Sequence, residues 1–298
     1  MNWRGVIPAI TTPFLPDDTV DHDFLASHCS WLVDHGASGI VALGSLGEGA
    51  TLSAAEKRQI LDTCVSAVGD RVPVGAGVAA LSTSGAVELA RTAEAAGCAG
   101  LMVLPPYVHK GPMSEMRAHF NATLQATGLS CMLYNNPPAY GTDMVPEAIA
   151  ALAEQHDNLH AVKESSGDVR RLTAIGALVG ERLELLVGLD DVVVEGVAAG
   201  ARGWIAGLVN ALPAESVELF RCAREGEHER AQELYAWFLP LLRLDTVPEF
   251  VQLIKLVQEE VGMGSERVRA PRQTLHGAAR EAALSTIRDA LATNPTSA

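Results

Sequence analysis

Short apolar, β-rich runs alternate with helical patterns eight times along this chain, at intervals of roughly 30 residues, and few architectures accept that rhythm. The predicted strands cover residues 6–14, 39–44, 72–77, 100–105, 130–135, 159–165, 183–188 and 203–209. The predicted helices between and after them cover 23–34, 54–68, 85–96, 114–126, 146–155, 169–179, 192–199 and 214–224. Local signals agree. Ser53 before Ala54-Ala55-Glu56 forms a capping box, and Ser84 and Asp168 are expected to cap their helices. Eight strand–helix units within about 225 residues fit a closed α/β barrel, the (β/α)8 TIM barrel, better than an open doubly wound sheet. After Gly226 the alternation stops, and residues 228–244, 249–261 and 280–292 read as helices. The expected division is a barrel over 1–226 and a C-terminal helical extension over 227–298.

The formal net charge of −14 argues against a nucleic-acid or anionic-membrane surface and leaves a small-molecule substrate as the expected partner. No apolar run reaches about 18 residues, so no membrane span is expected. The five cysteines, Cys29, Cys64, Cys98, Cys131 and Cys222, form no C-x-x-C pair. Dispersed thiols of odd number, with no signal-peptide layout at Met1–Arg4, give a cytoplasmic expectation.

In such a barrel the chemistry gathers at the C-terminal ends of the strands. The second predicted strand ends in Gly44-Ser45-Leu46-Gly47-Glu48. Small residues there let backbone N–H groups point at an anion, while the plainer reading is a glycine-rich turn. Its G-x-x-G-x-G spacing departs from the G-x-G-x-x-G of a dinucleotide site. The fifth strand ends in Tyr134-Asn135-Asn136-Pro137-Pro138, whose tyrosine either relays protons or simply packs. The sixth, Leu159-His160-Ala161-Val162-Lys163-Glu164-Ser165-Ser166, carries a lysine in an apolar strand. Lys163 is either a paired or snorkelling structural lysine or a desolvated amine able to attack a carbonyl. The eighth strand carries Gly203-Trp204-Ile205-Ala206-Gly207, whose glycines permit close approach of a ligand. Asp190-Asp191 suits helix capping better than a cation, and the nine histidines lack ligand spacing, so neither metal nor cofactor is expected. Ser165-Ser166 lacks a nucleophile elbow, and His109-Lys110 reads as a solvated loop.

Gly44-x-x-Gly47-Glu48, Tyr134-Asn135-x-Pro137 and Val162-Lys163-Glu164 together resemble the dihydrodipicolinate synthase/N-acetylneuraminate lyase family, over residues 5 to about 275. The resemblance implies a homotetramer, a dimer of dimers, acting on a 2-oxo acid or its cyclic imine through a lysine imine. It makes Lys163 the Schiff-base lysine, Tyr134 the general acid/base and Ser45 a catalytic hydroxyl. The Ser45 and Leu46 amides, beside Gly47, would hold the substrate's C1 carboxylate, and the Ile205 carbonyl would face the imine. Asn136, Tyr140, Ser165 and Gly188 complete the expected substrate contacts.

Three departures bear on which member this is. Leu46 stands where the synthase has a second threonine, Val108 where it has a tyrosine crossing the dimer interface, and Ala139 where it has an arginine. Without that tyrosine the hydroxyl relay is expected to be cut, and without the arginine a second carboxylate loses its clamp. The reading is therefore against an authentic dihydrodipicolinate synthase and for a 1-pyrroline-4-hydroxy-2-carboxylate deaminase. The alternatives are an aldolase or dehydratase of 2-keto-3-deoxy sugar acids or 4-hydroxy-2-oxoglutarate, and a 4-hydroxy-tetrahydrodipicolinate synthase by name. A barrel that binds 2-oxo acids without turnover is the non-enzyme alternative.

Overall fold

The computed structural model describes residues 1–296. Eight strands are β1 (Gly5–Pro8), β2 (Ile40–Ala42), β3 (Val74–Val78), β4 (Gly100–Val103), β5 (Ser130–Asn135), β6 (Leu159–Glu164), β7 (Glu184–Val187) and β8 (Gly203–Ala206). They lie parallel in the order β1-β8-β7-β6-β5-β4-β3-β2. A parallel bridge from Ala9 to Val41 joins the two ends, so the sheet closes as a (β/α)8 barrel. Strands buried on both faces read as near-continuous apolar runs, which is why Ile40–Ala42 and Val74–Val78 carry no polar alternation.

The helices of the outer ring are α1 (His22–Asp34), α2 (Ala54–Val68), α3 (Thr83–Ala95), α4 (Met113–Gln125), α5 (Pro137–Tyr140), α6 (Pro146–Gln155), α7 (Arg170–Val179), α8 (Val193–Ala198) and α9 (Pro213–Glu225). Then follow α10 (His228–Leu242), α11 (Phe250–Glu260) and α12 (Gly277–Ala292). Ser53 and Glu56 make the expected reciprocal capping box on α2. On α3 the cap is Ser82, not Ser84, because the helix begins two residues earlier, at Thr83, and Ser82 Oγ accepts from Gly85 N at 3.2 Å. Asp168 accepts from the Arg170 amide at 3.1 Å, but the N-cap of α7 is Val169. Sequence periodicity does not show α5 at all, since one turn opening on two prolines carries no period.

The bottom of the barrel is plugged by Trp3, whose indole N–H donates to Ser130 Oγ at 2.9 Å. A side chain at Gly100 would meet that ring at 2.7 Å, so the plug requires a glycine there. The opposite end, where the strands finish, is roofed by α5, by the loop after β2 and by the last helices. Trp237 of α10 donates to the Ala290 carbonyl of α12 at 2.8 Å and ties those helices together. No helix among the described residues is long and apolar enough to cross a membrane.

Candidate active site

β6 alternates its side chains across the barrel wall, so adjacent residues have opposite fates. Glu164 turns outward, where it accepts from Asn135 Nδ2 at 3.0 Å and from the Ser166 amide at 2.7 Å, and it lies 3.4 Å from Arg171 of α7. Lys163 turns inward, 6% exposed, with no carboxylate within salt-bridge distance among the described residues. The paired-lysine reading of the sequence therefore does not describe it. Its register partner on β5 is Tyr134, and its Nζ lies 4.0 Å from the centroid of that ring. On the other side, a side chain at Gly188 would fall 2.5 Å from Lys163 Cε and 2.0 Å from Ser165 Oγ. The glycine after β7 thus makes the space in which the lysine lies. Ser165 is buried, and its Oγ finds no hydrogen-bond partner among the described residues.

The Ser45 turn is strained and strongly anchored. Leu43 (φ +64°) and Glu48 (φ +54°) both adopt the left-handed conformation that non-glycine residues avoid. Side chains at Gly47 and Gly49 would strike backbone oxygens of Ile10 at 2.8 Å and Leu43 at 2.3 Å. The buried Glu48 carboxylate takes a hydrogen bond of 2.6 Å from Lys255 of α11 and one of 3.0 Å from the Arg269 amide. The two side chains are only 2% and 0% exposed, so this ion pair is fully enclosed. Burial lowers the Lys255 ammonium's pKa, and the Glu48 charge opposes that fall. Thr12 Oγ1 donates to the Gly47 carbonyl at 2.7 Å from the β1 side. The Glu48 and Gly49 amides close the turn onto the Ser45 and Gly44 carbonyls, while those of Ser45 and Leu46 find no acceptor among the described residues. Leu46 itself packs into the core.

Three tyrosines meet above Lys163. Tyr140, the last residue of α5, stands edge-on to Tyr134 (centroids 5.6 Å, 82°) and to Tyr107 (5.5 Å, 67°). Its hydroxyl lies 2.5 Å from Ser45 Oγ. Burial and the neighbouring Tyr134 and Tyr107 hydroxyls push Tyr140 well above the usual phenol range. Burial also raises Tyr107, against a contact with Ser45 and the field of Arg272, both of which lower it. Asn136 caps α5 by accepting from the Ala139 amide at 3.1 Å, and its Nδ2 donates to the Tyr134 hydroxyl at 3.0 Å. Its amide is thus spent on holding the tyrosine.

Ile205 lies buried in β8, opposite Ile7. Asp190 does not cap α8. It turns inward and accepts from Trp204 Nε1 at 2.9 Å, Gly207 N at 3.1 Å and Leu208 N at 2.7 Å, fixing the end of β8. Burial pushes its carboxyl up to about 6, against those donors and the nearby Lys163. Two groups near the site escaped sequence reasoning. Lys255 is hidden in an ordinary amphipathic helix, and Asp245 follows α10, its carboxyl over Gly207 with Oδ1 buried and unpartnered. Burial and the Asp190 carboxyl push Asp245 well above the usual carboxylate range. No group of three or more His, Cys, Asp or Glu side chains among the described residues is arranged to hold a metal.

A family model for the dihydrodipicolinate synthetase family matches residues 2–290. The 4-hydroxy-tetrahydrodipicolinate synthase of Agrobacterium fabrum is 33% identical over 282 residues, covering 95% of this chain and 96% of its own. The protein of the same name from Methanopyrus kandleri is 35% identical over 269 residues, covering 90% of each chain. Among solved structures, the Acinetobacter baumannii dihydrodipicolinate synthase complexed with pyruvate superposes with a TM-score of 0.92 at 29% identity, covering 97% of this chain and 99% of that one. These relatives overturn the deaminase reading and its premise that the chain is not a synthase. That premise treated Val108 and Ala139 as losses with no substitute. The structure puts the Tyr140 hydroxyl on Ser45, and the Lys110 side chain beside Gly141, with Nζ 3.2 Å from where a side chain there would begin. By motif, barrel and relatives together, the chain belongs to the dihydrodipicolinate synthetase family and is a Schiff-base-forming lyase.

Proposed function

We propose that this protein is a 4-hydroxy-tetrahydrodipicolinate synthase, joining pyruvate to aspartate semialdehyde through an imine on Lys163. The observation that carries the reading is the inward Lys163 amine, with no carboxylate partner among the described residues and 4.0 Å from the centroid of its register partner Tyr134. The Lys163 nitrogen adds to the C2 carbonyl of pyruvate, and the carbinolamine loses water to give the imine. Loss of a C3 proton gives an enamine, whose carbon attacks the aldehyde. The substrate's own amine then displaces Lys163 as the ring closes. Tyr134 moves the protons. The Ser45 and Leu46 amides receive the pyruvate carboxylate, and Lys110 at the entrance offers a cation to the second carboxylate. The curated relatives carry this activity in their names.

Incubation with pyruvate and borohydride is expected to add one reduced pyruvate at Lys163, seen by peptide mass spectrometry, and K163A is expected to take none. A coupled assay with aspartate semialdehyde should then give cyclic product. No adduct would remove the imine. An adduct without product from aspartate semialdehyde would leave the lyase class standing and remove the substrate.

A further inference from the structure

A buried phenol that gives up its proton must recover it from somewhere. Tyr134 is 6% exposed, and its hydroxyl accepts from Asn136, so water does not reach it freely. Tyr140 is 7% exposed, and Gly141, at φ +73°, ends α5 immediately after it. Its hydroxyl bonds Ser45 Oγ at 2.5 Å, and its ring stands edge-on against that of Tyr134, centroids 5.6 Å apart. Ser45 is only partly buried. We propose that Tyr140 is a relay residue of this reaction, its hydroxyl joining Ser45 to Tyr134 in a proton path contained within one protomer. This rests on the imine reading of Lys163.

The path balances without a further reactant. Tyr134 gives its proton to the departing carbinolamine hydroxyl as the C–O bond breaks and the nitrogen lone pair forms C=N. Tyr140 returns a proton to the Tyr134 oxygen, Ser45 returns one to Tyr140, and Ser45 recovers its own from water. When a C3 proton leaves the imine, the same chain runs in reverse. A neutral phenol both donates and accepts, so the raised pKa of Tyr140 suits a relay rather than a permanent base.

The test is exchange of the pyruvate methyl hydrogens into deuterium oxide, followed by NMR, which needs no second substrate. Y140F is expected to exchange about 10- to 100-fold more slowly than wild type, with the KM for pyruvate within about threefold and a shifted pH profile. Thermal melting should be close to wild type, because the ring that packs is retained. Y107F, which removes the rival hydroxyl near Ser45, should stay within about threefold. Borohydride trapping on the same samples separates the two readings: if wild type takes no pyruvate, the imine falls and the relay with it. If wild type takes pyruvate and Y140F exchanges as fast as it does, or if Y107F suffers the loss instead, the relay alone is overturned. Mixing K163A with Y140F subunits should restore nothing, and recovery would show a hydroxyl acting between subunits.

Discussion

Tyr134 and Lys163 are direct register partners on neighbouring parallel strands, and the amine sits 4.0 Å from the centroid of the partner's ring. Adjacent positions in a closed barrel share one wall, so the pair is held by backbone hydrogen bonds and not by flexible loops. Y134F keeps the ring and removes only the hydroxyl. It is expected to lose about 10²- to 10³-fold in kcat, while Lys163 still takes pyruvate under prolonged borohydride trapping. Unchanged turnover in Y134F would strike Tyr134 from the mechanism.

Gly188 is where space matters most. Alanine there would place a carbon 2.5 Å from Lys163 Cε and 2.0 Å from Ser165 Oγ, closer than atoms tolerate. Both neighbours are side chains that can swing away, so G188A is expected to fold, at a cost of about 1–3 kcal/mol. The displaced amine should take pyruvate at least about tenfold more slowly. Trapping at the wild-type rate would mean that Lys163 does not use that space.

Much of this was legible beforehand, and the misses are instructive. The barrel followed from the alternation of periods, and β5, α2 and α6 have the predicted bounds, because long apolar runs and caps are local signals. Lys163 stood out as a charge in an apolar strand, and only its neighbours could say whether it was paired. Tyr140 and Lys255 act across 95 and 207 residues of chain, on Ser45 and Glu48, and neither distance leaves a trace in local pattern. Val108 is a similar case: the position itself carries no hydroxyl, and the Tyr140 hydroxyl that meets Ser45 comes from α5, in a later unit of the barrel.

The Glu48–Lys255 pair pins the Ser45 turn from the C-terminal extension. With both groups enclosed, removing Lys255 leaves the buried Glu48 carboxylate with only the Arg269 amide and a longer, 3.7 Å contact to Arg272, so K255M is expected to lose about 3 kcal/mol in urea unfolding. Replacing both, in E48Q/K255M, should cost less than the sum of the single changes, since no lone charge remains. Additive losses would show that the pair is not coupled. The loosened turn should also raise the KM for pyruvate in K255M, which separates anchoring of the site from mere stability.

His28 of α1 gives the fold a pH dependence with a definite sign. The ring is completely buried, its Nε2–H donates to the Asn210 carbonyl at 2.8 Å, and Nδ1 has no partner among the described residues. Burial, opposed by that hydrogen bond, lowers its pKa to about 4 from the usual 6.5. Between those values the unfolded chain binds a proton that the folded chain refuses, so the contribution is complete above 6.5 and is lost as pH falls toward 4. From pH 7.5 to 5.0 the loss from this one ring is about 2 kcal/mol. Asp190, pushed up to about 6, Asp245 and the histidines lowered by burial, His119, His156 and His160, also respond in this range, so it is the comparison with a His28 variant that isolates this ring. Urea midpoints at the two pH values should therefore differ more for wild type than for H28Q, whose amide can keep a donor near Asn210 without titrating. Equal differences would mean that the His28 ring is protonated in the folded protein or that other groups dominate the interval.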